Sequence, residues 1–234
     1  MSVLIEHTLE SFAMPPPNKL QVFQDFHLNV TPEQRTALRQ AIMSALSEPW
    51  SHTLEAEQTM TKFSGTDDDV MVFQKKESKD SPAANLFLWS TADGYKITNI
   101  VPTDTNSLDY ADYNAIVQNF ATKIAIPVAQ RIGFKYELSA PFISIDDLVS
   151  NNTVKSLRLF SNAANKSTGS THPRDRGRWV EFLISAFHDE KKLNASDLSR
   201  WLHECDGWPE DEAHELASQF ELGIEILEAY EQKK

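Results

Sequence analysis

The sequence predicts an α+β fold in which an N-terminal antiparallel sheet with two covering helices is followed by a C-terminal helical bundle. Period-2 apolar runs and turn signals recur up to about residue 140, and two 3.6-residue apolar stripes interrupt them. From residue 145 onward strand patterning gives way to capped helical stripes. A chain of 234 residues, 41% hydrophobic and 24% charged, has the length for one large domain or two small ones and a globular composition. The expected organisation is an α+β sandwich over 1–144, a basic, hydroxyl-rich linker over 145–172 and a three-helix bundle over 173–234.

The triple proline at 15–17 holds the chain extended and leads it into the first strand. Over 20–30, Leu20, Val22, Phe26, Leu28 and Val30 share one parity, the pattern of a half-buried strand that only Gln24 breaks. Thr31-Pro32-Glu33-Gln34 supplies an N-cap, a proline at the first helical position and a Gln for a capping box. A stripe of Leu38, Ala41, Ile42 and Ala45 follows. Weaker strand patterns at 54–63 and 70–75 are separated by the acidic turn 65–69. Leu86–Thr91 and Tyr95–Val101 then form a hairpin around a three-residue loop, Ala92-Asp93-Gly94, with the glycine in the left-handed position. A second helix starts near Asp109, carries Tyr113, Ile116, Val117, Phe120 and Ile124, kinks at Pro127 and stops at Gly133. Phe134, Tyr136 and Leu138 alternate as a last strand.

The final third reads as three helices. The first is introduced by Thr171-His172-Pro173 and bears Trp179, Phe182, Leu183, Ala186 and Phe187. The second is capped by Asn194, bears Leu198, Trp201, Leu202 and Cys205, and ends at Gly207. The third opens at Pro209, with acids in its first turn and a stripe of Ala213, Leu216, Ala217, Phe220, Ile224 and Leu227.

The formal charge of -12 is unevenly spread. Residues 1–150 and 201–234 each carry -8, whereas 151–200 carry +4. Two acidic bodies flanking a basic connection disfavour extended nucleic acid and anionic membranes but leave room for a small anion. The single cysteine excludes an intramolecular disulfide and a thiolate-rich metal site, and points to a reducing compartment. The N-terminal residues lack a secretory pattern and the longest apolar run is far too short for a membrane helix, so a soluble cytoplasmic protein is expected. No histidine pairing of metal-site spacing occurs, and neither a metal nor a cofactor is implied.

One segment stands out. Residues 165–178 form a hydroxyl-rich loop running into a helix N-terminus, where free N–H groups, hydroxyls and guanidinium groups can converge on phosphate or carboxylate oxygens. The candidate anion ligands are Lys166, Ser167, Thr168, Thr171, Arg174, Arg176 and Arg178. A competing reading has these arginines pairing with the acidic last helix. The loop holds the single Gly169 and no Gly-Lys-Ser/Thr ending, so it is not a nucleotide-binding P-loop. His172 and Asp175 form a weak candidate acid–base pair without a nucleophile beside them. Trp179, Trp201 and Trp208 would make a base-stacking surface only if exposed, and their spacing places them in the core instead. The leading functional expectation is a non-enzymatic protein-interaction module of antitoxin, immunity or complex-subunit type. Its acidic surfaces would meet another protein with a basic surface, and its oligomeric state is left open. The alternative is an enzyme or regulator that binds a phosphorylated small ligand at the 165–178 loop.

Overall fold

The computed structural model describes residues 18–64, 69–79, 81–104 and 107–234, so the triple proline and most of the acidic turn at 65–69 lie outside the described residues. The protein is α+β, with an antiparallel sheet and a C-terminal helical region. It divides into two compact units. One is Val22–Pro141; the other is Phe142–Lys234 together with the segment ending at Gln21.

The run over 20–30 is two strands, not one. Its first part, β1 (Lys19–Gln21), belongs to the second unit, and its second, β2 (Phe26–Asn29), belongs to the sheet. Gln24 is the reason for the break. It is 3% exposed, and its backbone N–H donates to Asn114 Oδ1 (2.8 Å) while its amide donates to the Ser139 carbonyl (2.6 Å) and accepts from Gln118 Nε2 (2.8 Å). A buried amide satisfied on both ends is stable in the interior, but its bonds take the place of a strand ladder.

Past β2, a 3₁₀ turn (Pro32–Gln34) leads into α1 (Arg35–Ala45), and the Thr31 N–H donates to the Gln34 side chain (3.1 Å), one half of a capping box. Then come β3 (Trp50–His52), α2 (Leu54–Ser64), β4 (Val70–Lys75), β5 (Ala84–Thr91), β6 (Gly94–Pro102), α3 (Tyr110–Phe120), a π turn (Ala121–Ala125), α4 (Ile126–Ile132) and β7 (Lys135–Leu138). The expected strand at 54–63 is the helix α2. Ala56 and Met60, four residues apart, pack on Val70, Val72 and Phe87, a spacing only a helix can present to one surface. At the expected kink, Pro127 lies in the first turn of α4, directly after the π turn. Asp109 caps α3 by accepting from the Asp112 N–H (2.8 Å), and Gly133 ends α4 at φ +87°.

The sheet is antiparallel in the order β3-β4-β5-β6-β2-β7. Along β4 the parity splits cleanly. Met71 and Phe73 face the main core with Leu38 and Ile42 of α1 and Ile116, Val117 and Phe120 of α3, whereas Val70 and Val72 face α2. So α1 and the α3–α4 helix cover one face, and α2 adds a patch on the other. The β5–β6 connection is a two-residue turn, Ala92-Asp93, because Thr91 pairs with Gly94. Gly94 is needed for proximity: at φ +152° an added Cβ would lie 1.8 Å from the Leu28 carbonyl oxygen.

The second unit adds β8 (Phe142–Ser144), α5 (Ile145–Leu148), α6 (Asn151–Ala163), α7 (Pro173–Phe187), α8 (Ala195–Arg200), a second π turn (Trp201–Cys205) and α9 (Glu210–Glu231). β8 pairs antiparallel with β1, whose Leu20 is buried in the helical core. Much of the segment expected as a linker, 145–172, is therefore helical. Val154, Leu157 and Phe160 of α6 join the same core as Trp179, Phe182, Trp201, Trp208 and Phe220. Only residues 149–150 and 164–172 are irregular in that stretch.

Candidate functional site

Residues 165–171 fold into a chain of turns built on Asn165. Its carbonyl accepts the N–H groups of Thr168 (3.0 Å) and Gly169 (3.1 Å), and its side-chain oxygen accepts the Ser167 N–H (3.0 Å) and hydroxyl (2.9 Å). Gly169 turns the chain at φ +55°. His172 then caps α7, its Nδ1 accepting the Arg174 N–H (3.3 Å), and Pro173 takes the first helical position. An open depression of about 610 Å³ lies here, lined by Asn165, Thr168, Thr171, His172, Arg174, Asp175 and Arg178 among others.

The fold thus brings four of the seven candidate anion ligands to one place: Thr168, Thr171, Arg174 and Arg178. Three of these are partly occupied. The Thr168 hydroxyl donates to the Asn165 carbonyl (3.4 Å). Arg178 donates to Asp175 (2.7 Å), whose carboxylate is nearly buried, and the Thr171 hydroxyl donates to the Thr168 carbonyl (2.7 Å). The other three candidates are elsewhere. Lys166 donates to the Asp206 carbonyl and lies 5.9 Å from the centre of the Trp208 ring. Ser167 borders a second depression of about 360 Å³ shared with Glu212 and Glu215, and Arg176 is exposed outside both. His172 and Asp175 share the first depression but spend their polar atoms on Arg174 and Arg178 rather than on each other. The one ion pair that the segment's arginines make is internal to α7, between Arg178 and Asp175.

Trp179, Trp201 and Trp208 are at most 3% exposed and offer no stacking platform. Cys205 is half-buried, and burial pushes its thiol pKa up, away from a reactive thiolate. Among the described residues no group of three or more His, Cys, Asp or Glu gathers around a common point, and no helix is long and apolar enough to cross a membrane.

A polar cluster that sequence spacing does not reveal lies in the sheet unit. Arg39 pairs with Glu57 and with Asp69 (2.8 Å), His52 Nε2 bonds Glu57 (2.6 Å), and the Tyr95 hydroxyl donates to Asp69. Burial, then the Arg39 charge, push the His52 pKa down, so at neutral pH its imidazole is neutral and donates to Glu57. These groups consume one another's bonding capacity and tie α1, α2 and the start of β4 together.

A second feature is apolar. On α7 and α9 five large side chains remain exposed: Val180 and Ile184 (44% each), Leu222 (58%), Ile226 (59%) and Tyr230 (61%). The last three recur every four residues, which stacks them on one helix face. Carboxylates border them, since α9 carries eight Asp and Glu between 210 and 231 and no Lys or Arg. This stripe was readable in the sequence beside the core stripe of the same helix. Comparison of the chain with protein-family models, with curated proteins and with solved structures finds no match in any of the three.

Proposed function

We propose that the protein is a non-enzymatic interaction module of the cytoplasm, of antitoxin, immunity or complex-subunit type. On this reading it engages another protein with a basic surface through its acidic helical unit. The observation that carries the proposal is the contiguous apolar face of α7 and α9 with its carboxylate border. Scattered exposed apolar residues are ordinary, but five on two adjacent helices are the composition of a binding patch rather than of bulk surface. The border adds steering toward a cationic partner. The test is affinity capture from the native host with the intact chain and with a Val180→Ser, Leu222→Ser, Ile226→Ser variant. Proteins captured by the first and lost with the second support the proposal, and identical capture sets overturn it.

A second reading has one specific observation in its favour. The depression before α7 gathers two guanidinium groups and two hydroxyls, a donor set suited to a phosphorylated small ligand. On that reading phosphate or a nucleotide raises the melting temperature of the intact chain, and Arg174→Ala removes the rise without unfolding the protein. The interaction reading expects no such rise.

A further inference from the structure

We infer that the occupant of the α7–α9 face is an amphipathic α-helix of another protein, with Lys or Arg along the borders of its apolar side; this rests on the interaction reading proposed above. The geometry begins with Gly223. An added Cβ there would lie 2.8 Å from Leu183 Cδ1, so a glycine inside α9 lets α7 come unusually near. Gly169 and Ser170, just before α7, sit beside Glu212, Leu216 and Gln219, whereas Leu183, further along α7, meets Gly223. The two helices therefore run in the same direction.

At about 100° per residue, Val180 and Ile184 fall to one side of Leu183, and Leu222 and Ile226 fall to the matching side of Gly223. Phe182 and Phe220 fall to the opposite side, where their rings stack 5.7 Å apart in the core. The result is a shallow furrow floored by Leu183 and Gly223, with apolar walls of Val180 and Ile184 on α7 and Leu222 and Ile226 on α9.

Three considerations select the occupant. Both walls are helix interiors whose N–H and C=O groups are already bonded along the helix, so an extended strand laid there finds no backbone partner, whereas a helix brings its own bonds satisfied. The walls repeat at four-residue spacing, and Leu222 to Tyr230 spans about 12 Å, matching apolar anchors at i, i+4 and i+7 or i+8 on an incoming helix. The border is mainly anionic: Glu221, Glu225 and Glu228 on α9 and Glu181 on α7 are all exposed, against Arg176 one turn before Val180 and Lys234, whose ammonium lies 4.8 Å from the centre of the Tyr230 ring. A second copy of this chain would set the same carboxylates against them, and a neutral helix would leave them without counter-charges.

Calorimetric titration of the intact chain with synthetic helical peptides of equal length and identical apolar face tests this. Their borders are Lys, Gln or Glu, and a fourth is the Lys peptide interrupted by a central Pro. The Lys peptide is expected to bind at least about tenfold more tightly than the Glu peptide or the Pro-interrupted one, and less tightly at high salt. Ile226→Glu, at a side chain that is 59% exposed, is expected to lose at least about tenfold for the Lys peptide while leaving the unfolding transition in place. Glu221→Lys with Glu225→Lys is expected to reverse the preference toward the Glu peptide. Equal binding of Lys and Glu peptides, indifference to the Pro, or indifference to Ile226→Glu overturns the inference. So does a concentration-dependent dimer that Ile226→Glu abolishes, which makes a second copy the occupant. Crosslinking in the host separates the two levels. A partner crosslinked only to surfaces away from α7 and α9 leaves an interaction module and removes the helix proposal, and no crosslinked partner removes both.

Discussion

The large apolar side chains left exposed in the sheet unit are Phe23, Leu54, Val101, Ile132 and Tyr136, each on a different element or loop. Among the described residues of the helical unit five of six, all but Leu159, sit on α7 and α9. Both units enclose polar groups, Thr153, Asp175 and Asp189 among them in the helical one. The sheet unit ties up the Gln24–Asn114–Gln118 amides, the partly exposed Arg39–Glu57–Asp69 cluster, and Lys75, fully buried with its ammonium donating to the Lys76 and Ser81 carbonyls and the Ser78 hydroxyl. The helical unit places eight carboxylates along one helix that also presents an apolar stripe. The contrast lies in the exposed apolar surface, scattered over one unit and gathered on two adjacent helices of the other.

Five variants break or sharpen this contrast. The largest effect is expected from Phe120→Ala, which empties a site between Trp50 and Phe73, whose rings lie 5.1 and 5.0 Å away. A loss of about 3–5 kcal/mol in chemical denaturation is expected there, and Tyr230→Ala at 61% exposure is expected to cost under about 0.5. Next, Gly94→Ala forces β6 away from the Leu28 carbonyl, and about 3 kcal/mol of stability is expected to go with the lost pairing; a value below 1 would show that the strands separate easily.

Asp189 is one of the helical unit's enclosed polar groups. Its carboxylate accepts from the Ser150 N–H (2.8 Å), the Thr153 hydroxyl (2.5 Å) and the Lys191 N–H (3.1 Å), fastening the end of α7 to the start of α6. Burial pushes its pKa up, but the hydrogen bonds outweigh this and hold it at about 2, below the ordinary 3.8. Because the folded value is depressed, its contribution is fully present above about pH 4 and is lost as pH falls toward 2. Asp189→Ala is expected to cost about 2 kcal/mol at pH 7 and to flatten that acid limb in denaturation curves taken between pH 2 and 5. Smallest of all, Leu222→Ser with Ile226→Ser is expected to change stability by under about 0.5 kcal/mol; a loss of several would mean the stripe is packed within the chain rather than open.

Local signals carried much of this fold. Capping at Asp109 and Asn194, the stop at Gly133 and the stripes of α1 and α3 each rest on neighbours a few residues apart, and the structure has them where the pattern puts them. The misses have non-local causes. Alternating polar residues in 54–63 imitate a strand, and only the surface offered by β4 and β5 makes Ala56 and Met60 a helix face. In α6, Lys155 and Arg158 drew the eye to charge and away from Val154, Leu157 and Phe160 between and around them. The 165–178 loop was legible as a place, but not which side chains turn into it. Lys166 is drawn off by the Asp206 carbonyl, 40 residues on, which no spacing within the loop reveals.

The pairing of β1 with β8 gives the helical unit two pieces that straddle the other unit in sequence. During synthesis β1 emerges roughly 120 residues ahead of its partner, a wait on the order of ten seconds at ordinary elongation rates. The continuous stretch Val22–Pro141 is made during that wait, while Leu20 stays without the core that buries it. Biogenesis is therefore staggered: the helices close over a strand made long before them.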